Sequence, residues 1–290
     1  MPNLKSPLWY GGGTPLSLGI DAGNIFYVSA DGDDANDGLT RGTALLTITA
    51  ALDMCVAGNQ DYIFVLRYNN SHVGEVWPIA MNKSYVHLIG AGQHANPRPQ
   101  LLPDVDAHGI EITAGGCEIA HLQFGTTAVN SKACIHLDVN EWMTHIHDCW
   151  FAWTTETYDC IYLGSQCPNT RIHDCRFGAH GFTHAGIYTG QIGRAIIEDN
   201  VFFVEGYVTG EYAIYVGNAN NHSIIRNNVF QVPDAADGEA INLRTGSTAM
   251  VTGNQAFSGK GAAMTFDPYV DVGTNHWGLN YQLGVAVQPS

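Results

Sequence analysis

The chain has 290 residues, 45% of them hydrophobic, which is enough for a sizeable core in one or two domains. Only 13% are charged and 33 are Gly, a balance that favours an all-β chain with many tight turns. With 27 acidic and 12 basic residues the formal net charge is −15, which argues against binding phosphate backbones and, without a Lys or Arg cluster, against polyuronates.

In chain order, residues 1–24 (MPNLKSPLWYGGGTPLSLGIDAGN) are Pro- and Gly-rich and carry Leu8, Trp9 and Tyr10. They lack the apolar core of a secretory leader, and no run of about 18 apolar residues follows anywhere that would span a membrane. This segment is expected to be a docking arm. Seven Cys without a CxxC read as free thiols made in a reducing cytoplasm. IFYVSADGDDANDGLT (25–40) predicts a strand and an Asp/Gly/Asn turn cluster. TALLTITAALDMC (43–55) is apolar at helical spacing (Leu45, Ile48, Leu52) and predicts a short amphipathic helix over about 45–56. Such a helix would cover an open strand edge.

A repeat follows. IHDCWF starts at Ile146, IHDCRF at Ile172, IEDNVF at Ile197, IRNNVF at Ile225, and the looser VTGNQAF at Val251. A second phrase alternates with it, its Ile at 110, 135, 161, 187, 214 and 241, in steps of 25 to 27 residues. Each phrase is short, β-branched and alternating, so it reads as a strand; the step suits a coil of two or three parallel strands. Stacking the coils makes a solenoid over 25–270, with the last weak coil near Ala262 and a C-terminal tail at 271–290. The repeated Ile and Phe form interior stacks. Cys149 and Cys175 share a column with Asn200, Asn228 and Asn254, where Asn is expected to tolerate left-handed geometry and bond its copy one coil away. Cys134 and Cys160 share another with Gly186, Ala213 and Ala240, and are expected to be packed free thiols.

The DGDDANDGL opening, the capping helix and the Ile-x-x-Asn-x-Phe coils resemble right-handed β-helix proteins of the pectate-lyase-like superfamily over roughly residues 25–270. The resemblance implies an all-β fold, a right-handed single-stranded parallel β-helix with an N-terminal capping helix and arm. It leaves activity open, because such proteins include lyases, hydrolases, epimerases and non-catalytic phage spike or surface proteins.

The segments after each inner Phe are the variable ones, and insertions on one solenoid face often mark a binding face. They hold Trp153, His180, Phe182, His184 and Tyr207. Next to them runs an exterior column: Glu111, His136, Tyr162, Tyr188, Tyr215 and Asn242. The expected ligand or partner face is therefore Tyr162, Tyr188, Tyr215, His136, Trp153, His180, Phe182 and Tyr207. It can be read as a subunit contact, as a sugar-stacking surface, or as plain surface stacking. No cofactor or metal is expected. If a cation bound, His147, Asp148, His173 and Asp174 would hold it; otherwise they are structural turns and an exposed ladder with Glu198, Asp199 and Arg226.

Among the resembling enzymes, lyases imply acidic calcium ligands with a nearby Arg or Lys base, and polygalacturonase-like hydrolases imply Asn-x-Asp, Asp-Asp, Gly-His and Arg-x-Lys. Here Asp33-Asp34 precedes the coils, and no Arg-x-Lys follows His180-Gly181. The acid pairs Glu156 with Asp159, or Glu205 with Glu211, are the alternative catalytic candidates for glycoside cleavage. The leading expectation is a bacteriophage virion structural protein, a capsid decoration or tail-spike-like module on the virion surface. It would be synthesised in the host cytoplasm without a signal peptide. It would dock through its arm to other virion proteins, contact host glycan, and bind neither nucleic acid nor membrane; a homo-oligomer, a trimer, is implied by the resemblance. The alternative is a polysaccharide lyase or glycoside hydrolase.

Overall fold

The computed structural model describes residues 23–67, 74–91, 98–126, 131–137, 142–152, 157–164, 167–178, 182–190, 194–203, 211–217, 222–232, 239–244, 247–258, 269–271, 275–282 and 285–287. Among them the strands form three sheets of ten, nine and eight strands, here sheets 1, 2 and 3. One coil runs His145–His147 in sheet 1, Trp150–Phe151 in sheet 2 and Thr157–Leu163 in sheet 3, and the next opens with Pro168–His173 back in sheet 1. Three strands per coil is the higher of the two numbers the step allowed. Nearly every neighbour pairs in parallel, and the repeat sets the register: Ile146 faces Ile172, Ile172 faces Ile197, and Ile197 faces Ile225.

The core is a set of columns. Phe124, Phe151, Phe177, Phe202 and Phe230 stack with centroids 4.4 to 5.2 Å apart, all at most 1% exposed. Stacking follows from the parallel register, which sets the same side chain above its copy at the strand spacing. At the turn from sheet 1 to sheet 2, Asn200, Asn228, Asn254 and Asn280 are completely buried. Each Oδ1 accepts from the backbone N–H of the copy before it, at 2.9 to 3.1 Å for the Asn–Asn pairs. Each Nδ2 donates to a main-chain carbonyl, Ile197 O in the case of Asn228. Cys175 and Cys149 continue the column with thiols near Ile146 O and Ile119 O.

The left-handed residue of this turn is not the ladder Asn, as the repeat suggested. It is the residue before it: Asp148, Asp174, Asp199 and Asn227 at φ 52 to 56°, then Gly253 at 71°. The ladder side chain must point inward to reach its copy. The sharp bend therefore falls on its neighbour, where Asp, Asn and Gly tolerate positive φ.

The capping helix spans Ile48–Met54 and buries Ile48, Ala51 and Leu52 against the first strands. Thr47 caps it by accepting from Ala50 N–H. The Asp-rich turn cluster serves the same end. Asp34 accepts from the N–H groups of Leu46 and Thr47, and Glu75 accepts from those of Ile48 and Thr49. Lys83 closes the C-terminal end on the carbonyls of Leu52, Asp53 and Cys55. The parallel ladders continue beyond residue 270: His276–Trp277 pairs in sheet 1 and Asn280–Gln282 in sheet 2. Val285–Val287 then turns back antiparallel on the edge. No helix of the described residues is long and apolar enough to cross a membrane. Leu8, Trp9 and Tyr10 of the expected arm lie outside the described residues.

Candidate functional site on the outer face of sheet 3

Sheet 3 aligns Glu111, His136, Tyr162, Tyr188, Tyr215 and Asn242 in one column, as the alternation requires. The rings stack from His108 onto His136, then Tyr162, Tyr188 and Tyr215, at centroid spacings of 4.1, 5.0, 4.8 and 5.6 Å. Tyr162 and Tyr188 lie within 14° of parallel. Their faces are spent on one another, so what this column leaves for a ligand is ring edges. Sugar stacking on the faces of these rings, one of the three readings of the column, is not what the geometry provides.

The column is also less open than an exterior position suggests. Tyr215 is 8% exposed, with Tyr212 at 4.6 Å and the Arg244 guanidinium 5.3 Å above its ring. Asn242, 7% exposed, is bonded to Glu239. Gly217 explains how Tyr188 fits: a Cβ there would lie 2.6 Å from the Tyr188 hydroxyl. Burial, with help from Tyr162 and Tyr215, pushes the Tyr188 phenol up to about 12, so it stays a neutral hydrogen-bonding group.

Beside the column sits a pair that the repeat did not single out. His184 Nδ1 lies 2.8 Å from Asp159 Oδ1. Asp159 is 1% exposed; burial pushes its carboxyl above the usual range, and the bond to His184 opposes that. The imidazole stacks on the exposed Tyr158 at 4.7 Å and touches Tyr188 and Tyr215 at 5.5 and 5.2 Å. A carboxylate on Nδ1 fixes the ring and leaves Nε2 for a ligand or a proton. His184 was visible in the sequence only as a loop histidine. Its partner is 25 residues away, one coil back.

Of the four acidic candidates, Asp159 is thus committed to His184, and Glu211 opens the strand region beside Tyr212, its carbonyl accepting from Glu239 N–H. Glu156 and Glu205 lie outside the described residues, as do Trp153, His180 and Tyr207. Phe182 begins the strand Phe182–Thr189, and its side chain lies outside the description.

A second cluster covers the outer face of sheet 1. Glu118 bridges His87 Nδ1 (2.6 Å) and His147 Nε2 (2.8 Å). His147 Nδ1 lies 2.9 Å from Asp148, and His173 Nδ1 lies 2.6 Å from Asp174. Hydrogen bonds from His147 and His87 hold the Glu118 carboxyl far below its ordinary range, against burial. Burial opposes charge on His147, but Glu118 and Asp148 outweigh it and lift the imidazole to about 9. Burial and the facing rings of His147 and His173 push His145 down to about 4. Further along, Glu198 (2% exposed) accepts from Arg171 and Arg226, one coil on either side. Burial works against its ionisation, and the bonds from Arg226 and Arg171 prevail, lowering its pKa.

No protein-family model matches the chain, and no curated protein matches it. Solved structures do. The chain is similar to a pectate lyase, Pel9A, with TM-score 0.55 and 14% identity, covering 93% of this chain and 74% of that one. It is also similar to the pectin methylesterase from Aspergillus niger, with TM-score 0.56 and 10% identity, covering 90% and 86%. At such identities the likeness shows the fold alone, a right-handed parallel β-helix.

Proposed function

We propose that this chain is a glycan-binding β-helix of a bacteriophage virion surface, a head decoration or short tail spike. It docks through residues 1–24 and trimerises, and it grips sugar along the outer face of sheet 3. The observation that carries the glycan reading is the row of stacked Tyr rings from Tyr162 to Tyr215 beside the Asp159–His184 pair. Hydroxyls and an oriented imidazole can each donate or accept, as sugar hydroxyls require, and the apolar ring edges exclude water around them. The net charge of −15 favours a neutral glycan over an acidic one. What supports the virion setting is the expected docking arm at residues 1–24 together with a charged share of only 13%, as expected where partners cover part of the surface. Its test is immuno-electron microscopy of native particles: regular labelling of heads or tail tips is expected, and label confined to soluble protein would refute it. The glycan face is tested by binding of purified chain to a panel of neutral bacterial surface polysaccharides. Tyr188→Phe, losing one hydrogen bond of about 1 kcal/mol, should weaken binding roughly fivefold. Gly217→Ala should also weaken it, by displacing the Tyr188 hydroxyl. Binding unchanged in both variants would remove this face from consideration.

A second reading, a polysaccharide lyase or glycoside hydrolase, is favoured by the Asp159–His184 pair, which has the form of an oriented general base. It predicts depolymerisation by the wild type that is lost in His184→Ala. Binding without depolymerisation supports the adhesive reading.

A further inference from the structure

The outer face of sheet 1 brings four imidazoles and a carboxylate together from consecutive coils. The donor atoms of Glu118, His145 and His147 all lie within 4.8 Å of one another. His173, on the next coil, brings its Nε2 to 2.5 Å from Nε2 of His145. The rings of His147 and His173 are parallel within 3°.

We propose that Glu118, His145 and His147 hold a divalent transition-metal ion of the Zn2+ type, pinning two coils together, with His173 steadying His145 from the next coil. Two imidazoles and one carboxylate are a borderline donor set that suits Zn2+, Co2+ or Ni2+ and is poor for Ca2+ or Mg2+. The supporting contacts have the form such sites use. Asp148 engages Nδ1 of His147, which directs its Nε2 toward the shared centre, and Asp174 does the same for His173, whose Nε2 meets His145. His87 steadies Glu118 through its other oxygen. His147 faces carboxylates with both ring nitrogens, so the ion takes the place of the proton that His147 shares with Glu118, and that proton goes to solvent. Three protein ligands leave the fourth position of a tetrahedral ion to water, and the site is independent of the glycan face on sheet 3.

The test uses the full chain without a histidine tag, stripped by chelator and dialysed against Co2+ and, separately, Zn2+. One equivalent is expected, with the visible absorption of four-coordinate Co2+ and a raised unfolding temperature on Zn2+ addition. The His145→Ala/His147→Ala double variant should lose both signals. A second variant guards against misfolding: Asp148→Gly/Asp174→Gly keeps a residue suited to the left-handed turn, since Gly253 holds the same position at φ 71°. It retains every ligand and should bind roughly 10- to 100-fold more weakly. Absence of Co2+ absorption in the wild type would overturn the proposal. So would undiminished binding by both variants, which would direct attention to the smaller group of His108, Glu111 and His136.

Discussion

Asn228→Ala tests the ladder that holds the coils in register. Asn228 is fully buried. Its Oδ1 accepts from Asn200 N–H at 3.1 Å and from Asn200 Nδ2 at 3.0 Å, and its Nδ2 donates to Ile197 O and Asn254 Oδ1 at 3.0 Å each. Alanine removes four bonds and strands the Asn200 N–H in the core, since the Ile197 carbonyl keeps its place in the strand ladder with Glu198 and Arg226 in register. Leaving a buried group unsatisfied costs about 1–3 kcal/mol and the void left by the amide adds to it, so the predicted loss is about 2–3 kcal/mol. The assay is urea unfolding followed by far-UV circular dichroism and by tryptophan fluorescence. The two probes must agree, because a solenoid can unfold in parts. The reverse change, Cys175→Asn, extends the ladder by one position toward Cys149 and should stabilise or be neutral. A loss below about 1 kcal/mol for Asn228→Ala would refute the claim that side-chain hydrogen bonds, and not the Phe stack alone, set the stability of this turn.

Three further outcomes follow from the same geometry. Glu198→Gln should cost about 1–2 kcal/mol in urea unfolding: the carboxylate is buried between two guanidinium groups, but Arg171 and Arg226 are about half exposed, which weakens the effect. His108, pushed down to about 4 chiefly by burial, binds its proton less readily folded than unfolded. Its contribution is therefore complete above pH 6.5 and is lost as pH falls toward 4, a decline of about 1–2 kcal/mol that His108→Phe should abolish in a pH series of unfolding curves. All seven cysteines are free and buried, and burial pushes the Cys55 and Cys134 thiols up to about 12. A thiol-exchange reagent should accordingly find no fast-reacting group in the native chain and all seven after denaturation; one rapid native thiol would contradict the packing described.

The candidate face was legible in part. The Tyr column followed from residues that repeat at one offset from the inner Ile, because a parallel coil turns sequence period into spatial stacking. The Asp159–His184 pair was not legible, since its members come from different repeats and from non-equivalent positions. The sheet 1 cluster was half legible. His147 and His173 stood out with Asp148 and Asp174, whereas Glu118 lies one coil before the first hexapeptide copy and His145 just outside it, at positions the pattern does not mark. The two Asp serve the imidazoles from the side of the turn, a role fixed by their left-handed backbone.

By itself the sequence determined the solenoid, the inward Ile and Phe columns, the Asn and Cys columns and the capping helix. All of these are periodic, so burial of one strand face and a constant coil length leave a single consistent register. Only the tertiary structure decided that a coil has three strands, that the bend falls on Asp148 and its copies, that the Tyr rings face one another, and which His meets which carboxylate. Those outcomes depend on side-chain directions between coils, and a repeat that specifies which residues are neighbours does not specify how their rings turn.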